Sequence, residues 1–202
     1  HLDGAPCRYD ADGNLVAVGD LWSAVYGPDN RLVELTRHGE TVRFEYHGLG
    51  GLARAVSAGG ERRFHDDATG RLLFETDGAG RLVARYLYRE NVLVARVLAD
   101  GSSQFYHFDQ RGDTIAVTDG AGRVVAAYAY DAYGRVLAAS GAATDNPYTF
   151  VGAFGVRDEG DGLYVMANRF YDARAGRFVQ ADPIGLEGGM NRYRYAAANP
   201  VN

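Results

Sequence analysis

Asp182 is the residue of this chain that most directly suggests chemistry. It lies in the run Ala181-Asp182-Pro183-Ile184-Gly185-Leu186. Two carboxylates that share a proton can act as acid and base in peptide hydrolysis, because two close like charges cannot both ionise. The same run also suits a plain Asp-Pro-x-Gly turn, in which Pro sets φ and Asp bonds its own backbone. Residue chemistry alone favours the turn.

Three other charged residues stand close to Asp182 in sequence. Arg169 and Arg177 flank the pair Tyr171-Asp172. Each arginine could cover aromatic surface with its stem or form a weak surface ion pair. The alternative is a cation that keeps Asp182 ionised or holds a peptide segment. Asp172 could supply a second carboxylate, but it lies within a repeated turn phrase, which favours turn capping.

Signals for other kinds of site are weak. Cys7 is the single cysteine, which excludes an internal disulfide framework. No His stands at metal-ligand spacing with Cys or carboxylates, and no Gly-x-Ser-x-Gly run occurs. The Gly-Ala-Gly runs at 78–80 and 120–122 do not open a helical pattern, which argues against phosphate binding. We therefore predict neither a metal nor a cofactor.

Charge and hydropathy exclude two classes of partner. The net charge of −5 offers no electrostatic support for nucleic-acid binding. No apolar run reaches the length of a membrane span, and no leader pattern precedes residue 10. The chain starts at His1 and not at Met, so we expect it to begin within a longer protein or to have been processed.

Composition favours β structure. Of 202 residues, 47% are hydrophobic, which is typical of a folded protein. The 27 glycines without a collagen period indicate many tight turns. Tyr outnumbers Phe, 14 to 9, as expected for strands with one partly wet face.

A short phrase recurs along the chain: an aromatic residue, an acidic residue, a turn, then Gly with Arg or Asn and an apolar residue. In every copy except 46–52, Asp or Asn can bond its own backbone and Gly can take a positive φ, and in most copies Arg then begins the outgoing strand. The copies cover 9–15, 26–32, 46–52, 64–72, 77–82, 119–124, 130–136 and 171–178.

Between these turns the residues alternate as in strands. The clearest strands are 81–88, 91–98, 103–108 and 123–130. They predict an all-β fold of successive antiparallel hairpins in one long sheet, which must curl or close to manage its edges. The small-residue run at 140–147 predicts a boundary, followed by a strand pair over 148–156 and a strand over 162–169.

The repeated phrases resemble the YD repeats of RHS proteins, Tc-toxin C components and teneurins, and the resemblance covers essentially the whole chain. The run from Gly162 to Asn202 resembles the RHS repeat-associated core. The resemblance implies a hollow β shell of hairpins, here residues 1–140, closed by a core segment, here residues 147–202. The run 191–195 matches the family's Asn-x-Tyr-x-Tyr segment, and we predict a packing role for it, with Tyr193 and Tyr195 on one strand face at the mouth of the shell.

The same resemblance implies a reaction. Core segments of this family look like self-cleaving aspartyl proteases, and Asp182 matches one member of their dyad. The second aspartate belongs to a further Asp-Pro-x-Gly-Leu motif, which does not occur between Asp182 and Asn202. This chain would therefore hold half of the dyad, with Arg169 and Arg177 as supporting cations. Whether it is an enzyme by itself stays open.

The resemblance also implies partners and a location. We expect a C-terminal toxin domain in cis, delivery proteins of a secretion or injection apparatus, and a secreted or cell-surface-delivered bacterial effector used in interbacterial competition. The alternative is a YD-repeat adhesin or carbohydrate-binding module without catalysis. The reading frame after Asn202 separates the two, because a toxin shell needs a further aspartate motif and an unrelated domain.

Overall fold

The structure, a computed structural model, describes residues 4–141, 146–167, 169–183, 185, 191–196 and 199–200. The predicted all-β fold of successive hairpins is confirmed. Fourteen antiparallel strands form one sheet in which each strand pairs with its neighbours in sequence. They are β1 Cys7–Tyr9, β2 Leu15–Val18, β3 Trp22–Tyr26, β4 Leu32–Arg37, β5 Glu40–Tyr46, β6 Leu52–Ser57, β7 Gly60–Asp66, β8 Leu72–Asp77, β9 Leu82–Arg89, β10 Val92–Leu98, β11 Ser103–Phe108, β12 Thr114–Asp119, β13 Val124–Tyr130 and β14 Val136–Gly141.

A second, smaller sheet follows. Its four antiparallel strands are β15 Arg157–Asp158, β16 Leu163–Met166, β17 Arg169–Asp172 and β18 Arg177–Phe178. The strand pair predicted over 148–156 is wrong, because this stretch contains a short 3-10 helix, Gly152–Phe154. Val151 and Gly155 on either side of that helix have left-handed backbones, with φ of 51° and 81°. Such a backbone breaks strand pairing and folds the segment into a compact buried turn.

The repeated phrase forms the turn that its residues predict. In the turn after β8, Gly80 has φ of 79°. Asp77 Oδ1 accepts hydrogen bonds from the backbone N–H groups of Ala79 and Arg81, each 2.9 Å long. Arg81 Nη2 lies 2.7 Å from Asp77 Oδ2. One aspartate therefore orders the turn backbone and also fixes the first residue of the outgoing side.

The large sheet curls around the C-terminal segment. The ring of Phe170 on β17 packs against Phe44 on β5, with centroids 5.2 Å apart. The next residue, Tyr171, donates from its hydroxyl to the carbonyl of Tyr133, 2.8 Å away in the turn after β13. Strands β5 and β13 would lie roughly 40 Å apart in a flat sheet, at about 4.8 Å per strand. One short strand can contact both only because the sheet bends around it.

The core consists of the aromatic and aliphatic side chains at this junction. Phe170, Leu163 and Val179 are buried against residues of β2 to β6. Phe150, Tyr164 and Tyr171 form a separate buried aromatic cluster with Phe178. Burial stabilises each such side chain by roughly 1.5–3 kcal/mol. The C-terminal segment thus supplies much of the apolar mass inside the curve of the sheet.

The large sheet is not closed in the part of the chain that the structure describes. Its strand order begins at β1 and ends at β14. All six residues of β14 are exposed. No helix among the described residues is long and apolar enough to cross a membrane.

Candidate functional site

Asp182 lies in a tight turn, as its sequence context predicts. The N–H of Gly185 donates to the carbonyl of Asp182 at 3.0 Å. The N–H of Asp182 in turn donates to the carbonyl of Arg192 at 2.8 Å. The turn is therefore attached to the following loop through backbone atoms. These bonds use backbone atoms, whereas the Asp182 carboxylate contacts a side chain of the second sheet.

Arg169 is the cation at the Asp182 carboxylate. Its Nη1 atom lies 3.0 Å from Asp182 Oδ2, and the two side chains are only 20% and 19% exposed. The guanidinium also stacks on the ring of Phe178, 3.6 Å from the centroid. Partial burial lowers the pKa of Arg169, and the charge of Asp182 partly offsets this effect. The pair is thus a shielded ion pair, worth more than a fully hydrated one.

Arg177, the other predicted supporting cation, contacts different residues. Its Nη2 atom donates to the hydroxyl of Tyr9. Its guanidinium lies 5.7 Å from the ring centroid of Tyr9 and 5.9 Å from that of Tyr193. Arg177 therefore joins β18 to the first strand of the large sheet and to the 191–196 loop. These contacts favour a packing role.

Asp172 caps its own turn. It is 1% exposed, and its Oδ1 atom accepts the backbone N–H of Arg174 at 2.8 Å. The N–H of Ala175 reaches the same oxygen at 3.3 Å. This is the turn-capping arrangement that its place in a repeat phrase favours. The contacts give Asp172 a structural role.

A cavity of about 410 Å³ opens beside Asp182. The described residues along it include three carboxylates and three guanidinium groups, together with backbone and amide groups. The charged residues are Asp12, Asp29, Asp182, Arg31, Arg169 and Arg192. Sequence reasoning singled out two of these six. The others come from turns at the start of the large sheet and from the 191–196 loop, so only the curl of the sheet brings them to the site.

The far wall of the cavity is built from two adjoining turns. Asn14, 1% exposed, donates from Nδ2 to Asp10 Oδ2 at 3.0 Å and to Asn30 Oδ1 at 2.8 Å. In the regular copies of the phrase Arg stands where Asn14 does. The shorter amide allows the 10–14 and 27–31 turns to approach and bond to each other. The replacement of Arg by Asn at position 14 is visible in the sequence, and it is the signal that could have indicated this contact between the two turns.

Tyr193 and Tyr195 do not lie on one strand face. Their segment is a turn with an isolated bridge between Arg177 and Arg194. Tyr195 stacks on Tyr171 inside the aromatic cluster, with centroids 4.4 Å apart. Tyr193 turns the other way and donates to the carbonyl of Gly13 at 2.7 Å. The strand predicted here is wrong because the two tyrosines find partners on different sides, Tyr195 in the aromatic cluster of the small sheet and Tyr193 in the first turn of the large sheet.

Within the described ranges, no group of three or more His, Cys, Asp or Glu side chains could hold a metal ion. The structure shows an ion pair between Arg169 and Asp182 beside a cavity that further charged side chains line.

Known proteins that resemble this chain include toxins. No family model matches the chain. It is 46% identical over 76 residues to double-stranded DNA deaminase toxin A of Burkholderia cenocepacia, a match that covers 36% of this chain and 5% of that protein. It is 31% identical over 203 aligned positions to the tRNA3(Ser)-specific nuclease WapA of Bacillus spizizenii, covering 96% of this chain and 9% of that protein.

A solved structure shares the fold. The Photorhabdus luminescens Tc holotoxin pore with a substituted TccC3 matches 96% of this chain and 10% of the compared chain, with a TM-score of 0.73 and 17% sequence identity. This chain therefore spans a tenth or less of each of these three proteins. It is related in sequence to segments of toxin proteins, and it has the fold of a segment of the Tc holotoxin structure.

Proposed function

We propose that this chain is the shell and core segment of an RHS-type polymorphic toxin protein that encloses a C-terminal toxin domain in cis. Residues 1–140 form part of the shell wall, and residues 147–202 form the core that closes it. The curl of the fourteen-strand sheet around the C-terminal segment supports this division of roles. So does the sequence similarity to the nuclease WapA over 96% of the chain and to a DNA deaminase toxin over 36% of it.

The open ends of the sheet fit a segment of a larger wall. An exposed edge strand is a site of pairing, and proteins ordinarily cover or continue such edges. Strand β14 is fully exposed, with Val136 and Leu137 carrying apolar side chains into solvent. In the longer protein, further wall would protect these edges. A closed wall would keep a harmful domain apart from the cell that makes it.

The core would also take part in aspartyl autoproteolysis that releases the toxin. The ion pair between Arg169 and Asp182 at the cavity is the observation that carries this proposal. Asp182 is one carboxylate of the pair, and a downstream segment of the same protein supplies the other. One carboxylate accepts a proton from water as the water oxygen attacks the peptide carbonyl. The other carboxyl group donates its proton to the carbonyl oxygen, which gives a tetrahedral diol. The first carboxyl group then returns its proton to the amide nitrogen as the C–N bond breaks, and the second takes back a proton from one diol hydroxyl as the product carboxyl group forms.

Delivery follows from the role of the shell. A protein that encloses a toxin must leave its producer, so we propose a secreted or cell-surface-delivered effector that engages a secretion or injection apparatus. Interbacterial competition is the setting that fits this role. The identity of the enclosed toxin would be encoded downstream.

Substitution of Asp182 in the full-length protein tests the catalytic part. Asp182→Asn keeps the size of the side chain but cannot move the proton, so cleavage should slow by about 10²–10⁴-fold. Cleavage is measured by gel and by mass determination of the released fragment. Asp119→Asn, in an exposed turn of the large sheet, is the matched control and should cleave normally. Normal cleavage of the Asp182→Asn protein would remove Asp182 from the reaction.

A further inference from the structure

Four turns of the large sheet, 67–71, 77–81, 119–123 and 131–135, follow a rule in which Asp holds Arg four residues later, and these are the regular turns. In the regular turns the Asp side chain accepts hydrogen bonds from the arginine Nε and lies close to Nη2. Arg81 makes these contacts with Asp77 at 2.7 Å and 2.7 Å. Arg123 makes them with Asp119 at 2.8 Å and 2.7 Å. The arginine of a regular turn is therefore occupied by its own turn.

The 27–31 turn keeps the backbone of the rule but lacks its aspartate. Gly27 donates to the carbonyl of Arg31 at 2.8 Å, and Asn30 donates to the carbonyl of Gly27 at 3.0 Å. Asn30 stands at the position that glycine has in the regular turns, and its backbone is left-handed, with φ of 59°. Gly27 stands where the regular turns have Asp, and it has no carboxylate. Among the described residues, the ion-pair partner of Arg31 is Asp29, with a longer separation of 3.5 Å from Nη1 to Oδ2.

Arg31 is nevertheless held in place. Its guanidinium lies 5.3 Å from the ring centroid of Tyr46, whose hydroxyl donates to the carbonyl of Leu32 at 2.7 Å. The side chain is 29% exposed, close to the 32% of Arg71, which stacks on Tyr88 but is also paired with the Asp67 of its own regular turn. A guanidinium has five N–H donors in a fixed fork. Arg31 thus presents a largely shielded cation with donor capacity beyond its one long contact.

Arg31 lines the same cavity as Asp182. Three carboxylates and three guanidinium groups line this space, and Arg31 is one of the guanidinium groups. Arg169 is paired with Asp182 at 3.0 Å. A further carboxylate would be repelled by the carboxylates already present, and the Arg31 guanidinium would offset this repulsion by holding it through two parallel hydrogen bonds.

We propose that Arg31 is a positioning residue that binds the carboxylate side chain of the peptide segment cleaved at Asp182. The inference rests on the proposed function and adds to it a residue of the shell wall, which lies about 150 positions before Asp182 in the sequence. The ligand class is an acidic peptide segment of the same protein. Because the 27–31 turn lacks the aspartate of the regular turns, Arg31 can bind this segment and is not held by its own turn.

The experiment compares cleavage rates of full-length variants. Arg31→Gln should slow cleavage about ten-fold or more, the effect of losing one charge-assisted hydrogen bond. It should also move the pH–rate profile to higher pH, because a neighbouring guanidinium lowers the pKa of a carboxylate and its removal raises that pKa. Arg31→Lys keeps the charge and should recover part of the rate. Arg81→Gln is the matched control and should change neither rate nor profile.

A second variant tests the turn rule itself. Gly27→Asp restores the aspartate of the regular turns and should draw Arg31 away from the cavity, so its slowing should resemble that of Arg31→Gln. The new Cβ atom would stand 3.0 Å from Asp29 Oδ1, the end of a flexible side chain that can move aside. An unchanged rate in the Gly27→Asp protein would overturn the inference.

The outcomes separate this inference from the proposed function. Normal cleavage by Asp182→Asn would refute the catalytic part of the proposed function. Blocked cleavage by Asp182→Asn together with an unaltered rate and pH profile in Arg31→Gln would refute only the role of Arg31. Slowing without a pH shift, accompanied by a lowered melting temperature, would assign Arg31 to the stability of the wall and also overturn the inference.

Discussion

At the residue scale, Arg169 and Arg177 show how surroundings separate two identical side chains. Both lie in the small sheet, and both stack on aromatic rings. Only Arg169 is shown in an ion pair with Asp182, at 3.0 Å, whereas Arg177 reaches Tyr9 on the first strand of the large sheet. Sequence reasoning proposed both as supporting cations because it could not see the direction of either side chain.

The two arginines should therefore respond differently to substitution. We expect Arg169→Gln to slow cleavage of the full-length protein about ten-fold or more, because Asp182 loses its charge-assisted partner. Arg169→Lys should retain part of the rate, and Arg177→Gln should cleave within a few-fold of the unaltered protein. Rates come from the decay of the full-length band on a gel. If Arg177→Gln slowed cleavage as much as Arg169→Gln, the different roles assigned to the two arginines would be wrong.

At the element scale, the turns were the most predictable part of the molecule. Asp, Gly and Arg at fixed offsets predict the turn, and the structure confirms both the aspartate bonds and the positive φ of Gly80 and Gly122. These interactions lie within a few residues of one another, so local sequence determines them. The 148–156 stretch was mispredicted as strands, because its short helix depends on contacts made far along the chain. Val151, for example, donates its N–H to Asp113 Oδ1 at 2.9 Å.

Two glycines of the same turn type distinguish local strain from packing. Gly122 and Gly134 have φ of 78° and 88°, so Ala at either place should cost about 1–2 kcal/mol of stability. A Cβ atom at Gly122 would meet open space, whereas at Gly134 it would overlap the ring of Phe150. Gly134→Ala should therefore cost about 1–3 kcal/mol more than Gly122→Ala.

Denaturant unfolding of the two variants measures the difference. Because the two glycines have similar backbone conformations, most of the backbone strain is common to both variants. The difference between their free energies of unfolding therefore reports how closely the C-terminal segment packs on the turn after β13. Equal loss of stability in Gly122→Ala and Gly134→Ala would mean that Phe150 does not pack against this turn in solution.

At the scale of the whole molecule, tyrosines join the core segment to the sheet. Tyr164 and Tyr171 are buried and donate to the carbonyls of Gly134 and Tyr133 at 2.9 Å and 2.8 Å. Tyr26 and Tyr46 make similar bonds to Leu15 and Leu32 at 2.8 Å and 2.7 Å. Each ring fills the interior while its hydroxyl satisfies a backbone carbonyl. The curl of the sheet therefore depends on neutral phenols.

This dependence predicts unfolding in alkali. Burial raises the pKa of Tyr88 to about 12 and raises the pKa of Tyr171 further. An unfolded tyrosine loses its proton near pH 10, so above that pH the unfolded state binds fewer protons than the folded state, and stability falls as pH rises. We expect stability to be insensitive to these groups below about pH 10 and to decline progressively above it.

Absorbance at the phenolate band, recorded with circular dichroism, checks the prediction. The exposed tyrosines should titrate first, and the buried ones should ionise together with loss of the β signal. Ionisation of all tyrosines near pH 10 with the β signal intact would show that the aromatic clusters are open to solvent.

The sequence by itself determined the hairpins, their turns and the all-β class, because alternation and turn chemistry act between near neighbours. It also pointed to Asp182 through a short motif. Only the tertiary structure decided that Arg169 and not Arg177 pairs with Asp182, and that Arg31 faces the same cavity. Arg31 and Asp182 lie far apart in the sequence, and they line one cavity because aromatic burial makes the sheet curl around its own C-terminal segment.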